Sequence, residues 1–243
     1  MTDSTDPLVL LHGFGGTHRA WDGVLATLPA ERYRPLALDL PGHGVCADVS
    51  PISFADCVEH VLAHSPRRFV LCGYSLGGRV ALHVGLEAPE RVARLVLIGA
   101  NPGIEDPAER AARLRADELL AQRLEQEPFE EFIESWRTQP LFASDPPEVG
   151  ELARADQRRN DPVALAAGMR GLSVGAMEPL WDRLGELEMP VCLVVGERDG
   201  KFLALAWRMA ALIADAQLEI LPGGHGLPLE NPAGVARVLV GAR

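Results

Sequence analysis

The stretch 69–87 constrains this chain more than any other part of it. Phe69-Val70-Leu71-Cys72 is a continuous apolar run, Gly73-Tyr74-Ser75-Leu76-Gly77 interrupts it, and residues 76–87 continue with an amphipathic period. A strand therefore passes into a helix within five residues. A turn this tight has no room for side chains around its apex, so Gly73 and Gly77 flank it, and the serine must take a strained backbone conformation. The G-x-S-x-G pattern by itself is a modest signal. Between a strand and a helix it marks a nucleophile elbow, which holds one hydroxyl above the edge of a sheet. The plainer reading of the same residues is an ordinary glycine-rich strand-to-helix turn.

The rest of the chain repeats this unit. Apolar runs at 8–11, 35–40, 69–72, 95–98, 191–195 and 218–221 alternate with helical patterns at about 18–28, 52–64, 76–87, 202–213 and 231–240. Most of the runs are unbroken, as in parallel strands covered on both faces. Strand–helix alternation predicts an α/β fold: a mostly parallel, doubly wound sheet flanked by helices and joined by right-handed crossovers. The rhythm fails between 101 and 178. That segment is rich in Arg, Glu and Ala, and is divided by Pro102, Pro107, Pro128, Pro140, Pro146, Pro147 and Pro162. It reads as a helical cap or lid, inserted after the fourth strand into a core made of residues 1–100 and 179–243. Ligands of such sheets bind at the carboxyl ends of the strands, so the insertion is expected over the site.

A serine hydroxyl is inert at neutral pH unless a base takes its proton. The elbow topology orders the partners along the chain as Ser, acid, His. The run at 191–195 is followed by Gly196-Glu197-Arg198-Asp199, and the run at 218–221 by Pro222-Gly223-Gly224-His225-Gly226. Asp199 and His225 thus fall on the same sheet edge as Ser75, and the three predict a catalytic triad. Glu197 is the alternative acid, two residues nearer its strand. The backbone N–H of Leu76 is expected to supply half of an oxyanion hole. The other half is expected from the loop His12-Gly13-Phe14-Gly15-Gly16, with the Phe14 N–H as donor. This loop carries no G-x-G-x-x-G or P-loop pattern that would make it a phosphate cradle. His43, in Asp39-Leu40-Pro41-Gly42-His43-Gly44, precedes the serine and follows an early strand, and so reads as structural.

Composition narrows the partners. Asp and Glu outnumber Lys and Arg by 34 to 23, for a net charge of −11, and Lys201 is the single lysine. Nucleic acid and anionic membranes select a positive field, so an acidic chain is a poor general binder of either. No run approaches the roughly 18 apolar residues of a membrane span. The opening MTDSTDP is too polar and acidic for a signal or transit peptide. Cys46, Cys57, Cys72 and Cys192 show no metal-binding spacing, and the last two sit in apolar runs as small hydrophobes. A cytoplasmic location is the simplest fit.

Five motifs then carry a resemblance. They are Leu11-His12-Gly13-Phe14, Asp39-Leu40-Pro41-Gly42-His43-Gly44, Gly73-Tyr74-Ser75-Leu76-Gly77-Gly78, Gly196-Glu197-Arg198-Asp199, and Gly224-His225 followed by Glu230-Asn231-Pro232. Together they resemble the α/β-hydrolase fold superfamily over nearly the whole chain. That superfamily holds esterases, lipases, dehalogenases, C–C hydrolases and lyases, so the fold leaves the reaction open. Finer features select among them. Arg79 lies one helical turn after Ser75, accompanied by Ala108–Arg113 with Asp117, by Trp136–Ser144 and by Gly196–Phe202. This combination resembles the 2-succinyl-6-hydroxy-2,4-cyclohexadiene-1-carboxylate synthases, lyases of menaquinone biosynthesis.

The resemblance implies elimination of pyruvate from 2-succinyl-5-enolpyruvyl-6-hydroxy-3-cyclohexene-1-carboxylate, without a metal or an organic cofactor. It implies that Ser75 acts as a general base rather than an acylating nucleophile, activated by His225, which Asp199 orients. Phe14 and Leu76 would supply the oxyanion donors, and Tyr74, Arg79, Arg113 and Trp136 would line the substrate pocket. The partner is then a small-molecule polycarboxylate, which planar guanidinium groups bind bidentately. The oligomeric state stays open, a monomer being sufficient. The alternative on the same scaffold is a serine carboxylesterase or C–C hydrolase acting on a small anionic substrate. From the residues alone, Arg113 is equally a surface pair with Asp117, Arg79 a solvated helix residue and Trp136 core packing. The chain departs from the family pattern twice. A further cap arginine near an Asn falls in Gln157-Arg158-Arg159-Asn160, where Arg158 and Arg159 both qualify. A histidine that often follows the catalytic one is replaced by leucine in Gly226-Leu227-Pro228-Leu229-Glu230.

Overall fold

The computed structural model describes residues 7–29 and 33–241. Residues 1–6 of the opening stretch considered above for targeting signals lie outside them. The strands are β1 (Leu8–Leu11), β2 (Pro35–Leu38), β3 (Phe69–Tyr74), β4 (Val92–Ile98), β5 (Val191–Gly196) and β6 (Ala216–Leu221). They form one sheet in the order β2-β1-β3-β4-β5-β6, and every adjacent pair is parallel. The helices among the described residues are α1 (Asp22–Leu25), α2 (Phe54–His64), α3 (Leu76–Glu87), α4 (Pro107–Gln126), α5 (Phe129–Arg137), α6 (Pro147–Gln157), α7 (Pro162–Gly171), α8 (Gly200–Ala210), α9 (Leu227–Glu230) and α10 (Pro232–Gly241).

Successive strand residues point to opposite faces, so the unbroken apolar runs feed two cores at once. Val9, Leu11, Leu71, Leu95, Leu97 and Leu193 pack with Val58, Val80, Val84 and Met209 of α2, α3 and α8. Leu8, Leu10, Cys72, Val96, Cys192 and Val194 pack with Trp21, Val24, Val235 and Leu239 on the other side. Some element ends differ from the sequence pattern. The fourth strand begins at Val92, earlier than the apolar run, and contains buried Arg94, which donates to the carbonyls of Val238 and Leu239 at the end of α10, the latter at 2.9 Å. A cation spent on helix-end carbonyls looks in sequence like the break of an apolar run. The helix expected over 18–28 is a 3-10 turn at His18–Trp21 followed by the single turn of α1. No helix among the described residues is long and apolar enough to cross a membrane.

Between β4 and β5 the chain inserts α4 to α7. Most of the prolines that divide this segment stand at helix starts. Asp106 caps α4 through the N–H groups of Ala108 and Glu109, Asp161 caps α7 through that of Ala164, and a proline follows each cap. Ala121, Leu124, Phe132, Leu165, Ala166 and Met169 give the insertion a small core, against which Phe14 and Trp136 pack. Polar ties fix it to the loops after β1 and β2. Asp156 accepts from the Thr17 N–H at 2.8 Å and its hydroxyl at 2.5 Å. Asn160 donates to the Gly15 carbonyl and accepts from the Gly44 N–H, both at 2.9 Å.

Candidate active site

The turn from β3 into α3 places Ser75 at φ 52° and ψ −105°. It is the one non-glycine residue with positive φ among the described residues. Neighbouring strands hold it there: the Ser75 N–H donates to Ile98 O at 2.9 Å, and the Gly77 N–H to His12 O at 3.0 Å. A Cβ on Gly77 would run into the backbone of Leu11 and His12, and one on Gly73 into the backbone of Gly77 and Gly78. These glycines therefore serve close approach, while the serine itself carries the unusual torsion.

His225, on the loop after β6, brings Nε2 to 3.0 Å from Ser75 Oγ and Nδ1 to 2.6 Å from Asp199 Oδ2. Asp199 lies three residues after the end of β5 and caps α8. His225 and Asp199 are 3% and 7% exposed, so their hydrogen bond is shielded from water. A carboxylate on Nδ1 fixes the tautomer that leaves Nε2 free to accept a proton from Oγ. The Phe202 ring packs on the imidazole at a centroid distance of 4.4 Å. Gly99, with φ 54°, makes room for it, since a Cβ there would come within 2.9 Å of His225 Cε1. Glu197 is exposed and faces Arg198 at 3.8 Å, away from the histidine.

The Phe14 and Leu76 N–H groups have no acceptor among the described residues. Behind the Phe14 loop, buried His12 accepts from the Leu40 N–H at 3.0 Å and bonds the Gly13 carbonyl at 2.8 Å, tying the ends of β1 and β2 together. His43 is also buried, 5.4 Å from the Phe14 ring. Burial, with a smaller push from His12, takes its imidazole down to about 3. It is a neutral packing group outside the cavity, in keeping with its structural reading.

A cavity of about 830 Å³ lies between the carboxyl ends of the strands and the insertion, lined by Ser75, His225, Tyr74, Arg79, Arg113 and Trp136 among others. Arg79 Nη1 donates to Leu172 O at 2.8 Å. Burial, and then the charge of Arg113, push its guanidinium down to about 10, which leaves it cationic at neutral pH. Arg113 binds Asp117 at 2.8 Å, the partner expected for a surface pair, but Asp117 is buried, accepts from the Ser173 hydroxyl at 2.6 Å and borders the same cavity. Burial pushes the Tyr74 hydroxyl up, so it stays protonated. The Trp136 ring packs 5.1 Å from that of Phe14.

Residues 8–238 match the Alpha/beta hydrolase family. The chain belongs to the alpha/beta hydrolase family. This alpha/beta hydrolase is 37% identical over 238 residues to the 2-succinyl-6-hydroxy-2,4-cyclohexadiene-1-carboxylate synthase of Enterobacter sp. (strain 638), covering 96% of this chain and 89% of that one. Among solved structures it is similar to MenH from S. aureus, with a TM-score of 0.89 and 28% identity over 98% of this chain and 92% of that one. It is also similar to a hydrolase from Pseudomonas aeruginosa, with a TM-score of 0.79 and 28% identity over 98% and 91% of the two chains.

Within this alpha/beta hydrolase the sequence leaves open which of Arg158 and Arg159, if either, enters the cavity. Neither Arg158 nor Arg159 lines the cavity. Arg158 forks onto Glu130 at the surface, and Arg159 is exposed near Asp156 at 3.8 Å. Asn160, next to them in sequence, bonds the Gly15 carbonyl and the Gly44 N–H instead. The lining instead includes Arg137, Phe142, Asp145, Gln157 and Phe202, none of which the sequence marks individually. The available signal was the recurring stretch Trp136–Ser144, in which Arg137 and Phe142 accompany the aromatic residue already singled out.

Proposed function

We propose that this enzyme eliminates pyruvate from 2-succinyl-5-enolpyruvyl-6-hydroxy-3-cyclohexene-1-carboxylate, releasing 2-succinyl-6-hydroxy-2,4-cyclohexadiene-1-carboxylate. The observation that carries the reading is a serine, hydrogen-bonded to a buried histidine, facing a cavity that also holds the guanidinium groups of Arg79 and Arg113. The 37% identity to a synthase of that name supports the same substrate.

Asp199 keeps His225 Nδ1 protonated, and Nε2 takes the Ser75 hydroxyl proton as Oγ removes the proton from the ring carbon that bears the succinyl group. The electron pair passes into the succinyl ketone, whose oxygen is held by the N–H groups of Phe14 and Leu76. Collapse of this enolate forms one ring double bond, shifts the other and breaks the carbon–oxygen bond to the enolpyruvyl group. The proton held on His225 returns to the leaving group, which becomes pyruvate. The substrate carries three carboxylates, and Arg79 and Arg113 each bind one through a planar fork. Tyr74 and Trp136 shape the walls. Residues 101–178 act as the cap, keeping out the water that would make the same triad a hydrolase.

The test supplies freshly prepared enolpyruvyl substrate and follows pyruvate, with p-nitrophenyl acetate in parallel. Catalytic pyruvate release with slow ester turnover is expected. Rapid ester hydrolysis with no pyruvate would overturn the reading and favour a carboxylesterase.

A further inference from the structure

We propose that Arg137 is a third carboxylate-binding cation of this site, held in place by Asp145 and transferred from it to the substrate. The assignment rests on the lyase reading above, because a substrate with three carboxylates calls for a third partner beside Arg79 and Arg113.

Arg137 ends α5 and borders the cavity with a side chain only 11% exposed. Its guanidinium lies 4.1 Å from the centre of the Phe142 ring, and Nη2 donates to Asp145 Oδ2 at 2.5 Å. Nε and Nη1 have no acceptor among the described residues. A guanidinium offers five donors in a rigid fork, so most of its capacity is left open at the edge of the cavity.

Asp145 is a poor match for that fork. It is nearly sealed from solvent, and its Oδ1 is buried without a partner among the described residues. Burial pushes its carboxyl above the ordinary range, against the pull of Arg137. A substrate carboxylate can present both oxygens to the fork, which a monodentate, half-satisfied Asp145 does not. Its location fits the same role. Positions where Gly224 and Gly226 would carry a Cβ lie 3.5 Å and 3.6 Å from the Asp145 carboxylate oxygens, so the pair sits against the loop that presents His225. Arg79 and Arg113 neighbour each other instead, by way of Asp117 and Leu172. The other cations of the lining are Arg198 and Lys201. Arg198 is 41% exposed and paired with Glu230, and Lys201 is exposed, so both belong to the rim.

A salt bridge that merely braces the cap and a cation that binds substrate differ in one way that can be measured. Bracing needs both partners equally; binding needs Arg137 and has Asp145 as a competitor. Pyruvate release is measured for the wild-type enzyme, Arg137→Gln, Arg137→Lys and Asp145→Asn, with thermal unfolding of each. The expected result is a KM raised at least tenfold in Arg137→Gln, several-fold in Arg137→Lys, and unchanged or lowered in Asp145→Asn. Equal losses in Arg137→Gln and Asp145→Asn, or a wild-type KM in Arg137→Gln, would overturn the assignment while leaving the lyase reading in place. If Arg137→Gln does not fold, Arg137→Lys decides: it keeps the charge and loses the fork, and an unchanged KM overturns the assignment. A wild-type enzyme that releases no pyruvate removes the lyase reading and this assignment with it.

Discussion

Replacing Ser75 separates the strain of the elbow from its chemistry. Ser75 is held at φ 52° and ψ −105°, in a region that costs an L-residue about 1–3 kcal/mol. Glycine escapes most of that cost but loses more backbone entropy on folding, about 0.5–1 kcal/mol relative to alanine. Ser75→Gly and Ser75→Ala both delete the hydroxyl and its 3.0 Å hydrogen bond to His225, so that loss cancels between them. What remains is strain less entropy, and Ser75→Gly should be the more stable of the two by about 1 kcal/mol. For a chain of 243 residues this corresponds to a melting temperature about 2–4 °C higher. Scanning calorimetry of the two variants, with pyruvate release measured alongside, tests both halves. Activity should fall by several orders of magnitude in each. Equal melting temperatures, or a less stable glycine variant, would refute the claim that the elbow stores strain. Near-normal turnover in Ser75→Ala would refute the role of Ser75 as the base.

Two further outcomes follow from individual contacts. The protonated form of Arg79 is the one that binds a carboxylate, and burial brings its loss of charge down to about 10. Wild-type KM should therefore stay level at lower pH and climb as pH rises through that value, while Arg79→Gln should show a high KM at every pH and no such climb; a level wild-type profile would show that this cation is not used. Asp156 accepts two hydrogen bonds from Thr17, and Asp156→Asn removes its charge and turns one acceptor into a donor. A loss of about 2 kcal/mol is expected in urea unfolding, and an unchanged midpoint would mean that this contact does not anchor the insertion.

The parts legible in the sequence are those in which a local pattern has a local cause. Burial on both faces makes a parallel strand read as an unbroken apolar run, and five of the six runs start or end within two residues of their strands at both ends; β4 alone begins three residues early, where buried Arg94 disguises it. The Ser75–His225–Asp199 hydrogen-bonded chain, proposed above as a triad, was legible for a related reason. The elbow sets Ser75 at the end of β3, and parallel topology brings the ends of β5 and β6 to the same edge, so Asp199 and His225 could be placed by counting from their strands. Among the arginines of the insertion, Arg113 was named only through the family resemblance and Arg137 not individually, though both line the cavity. Side-chain direction in the insertion depends on how its helices lie, and that depends on contacts such as Thr17 with Asp156 and Gly15 with Asn160, 139 and 145 residues apart in sequence.

Arg137 and Arg158 show where the division falls. Each is an arginine at the carboxyl end of a helix of the insertion, α5 and α6, and each pairs with an acid, Asp145 or Glu130. Helix propensity, capping and charge treat them alike, so order along the chain was enough to establish an α/β sheet, its elbow and its Ser–Asp–His sequence. Which arginine meets the cavity was settled by long-range packing: Asn160 bonds the β1 loop while Arg158 pairs with Glu130 at the surface, and Arg137 lies against Phe142 and Asp145 beside the histidine loop. The proposed reacting groups follow from strand ends, which local sequence defines. The groups proposed to select the substrate follow from the docking of one layer on another, which it does not.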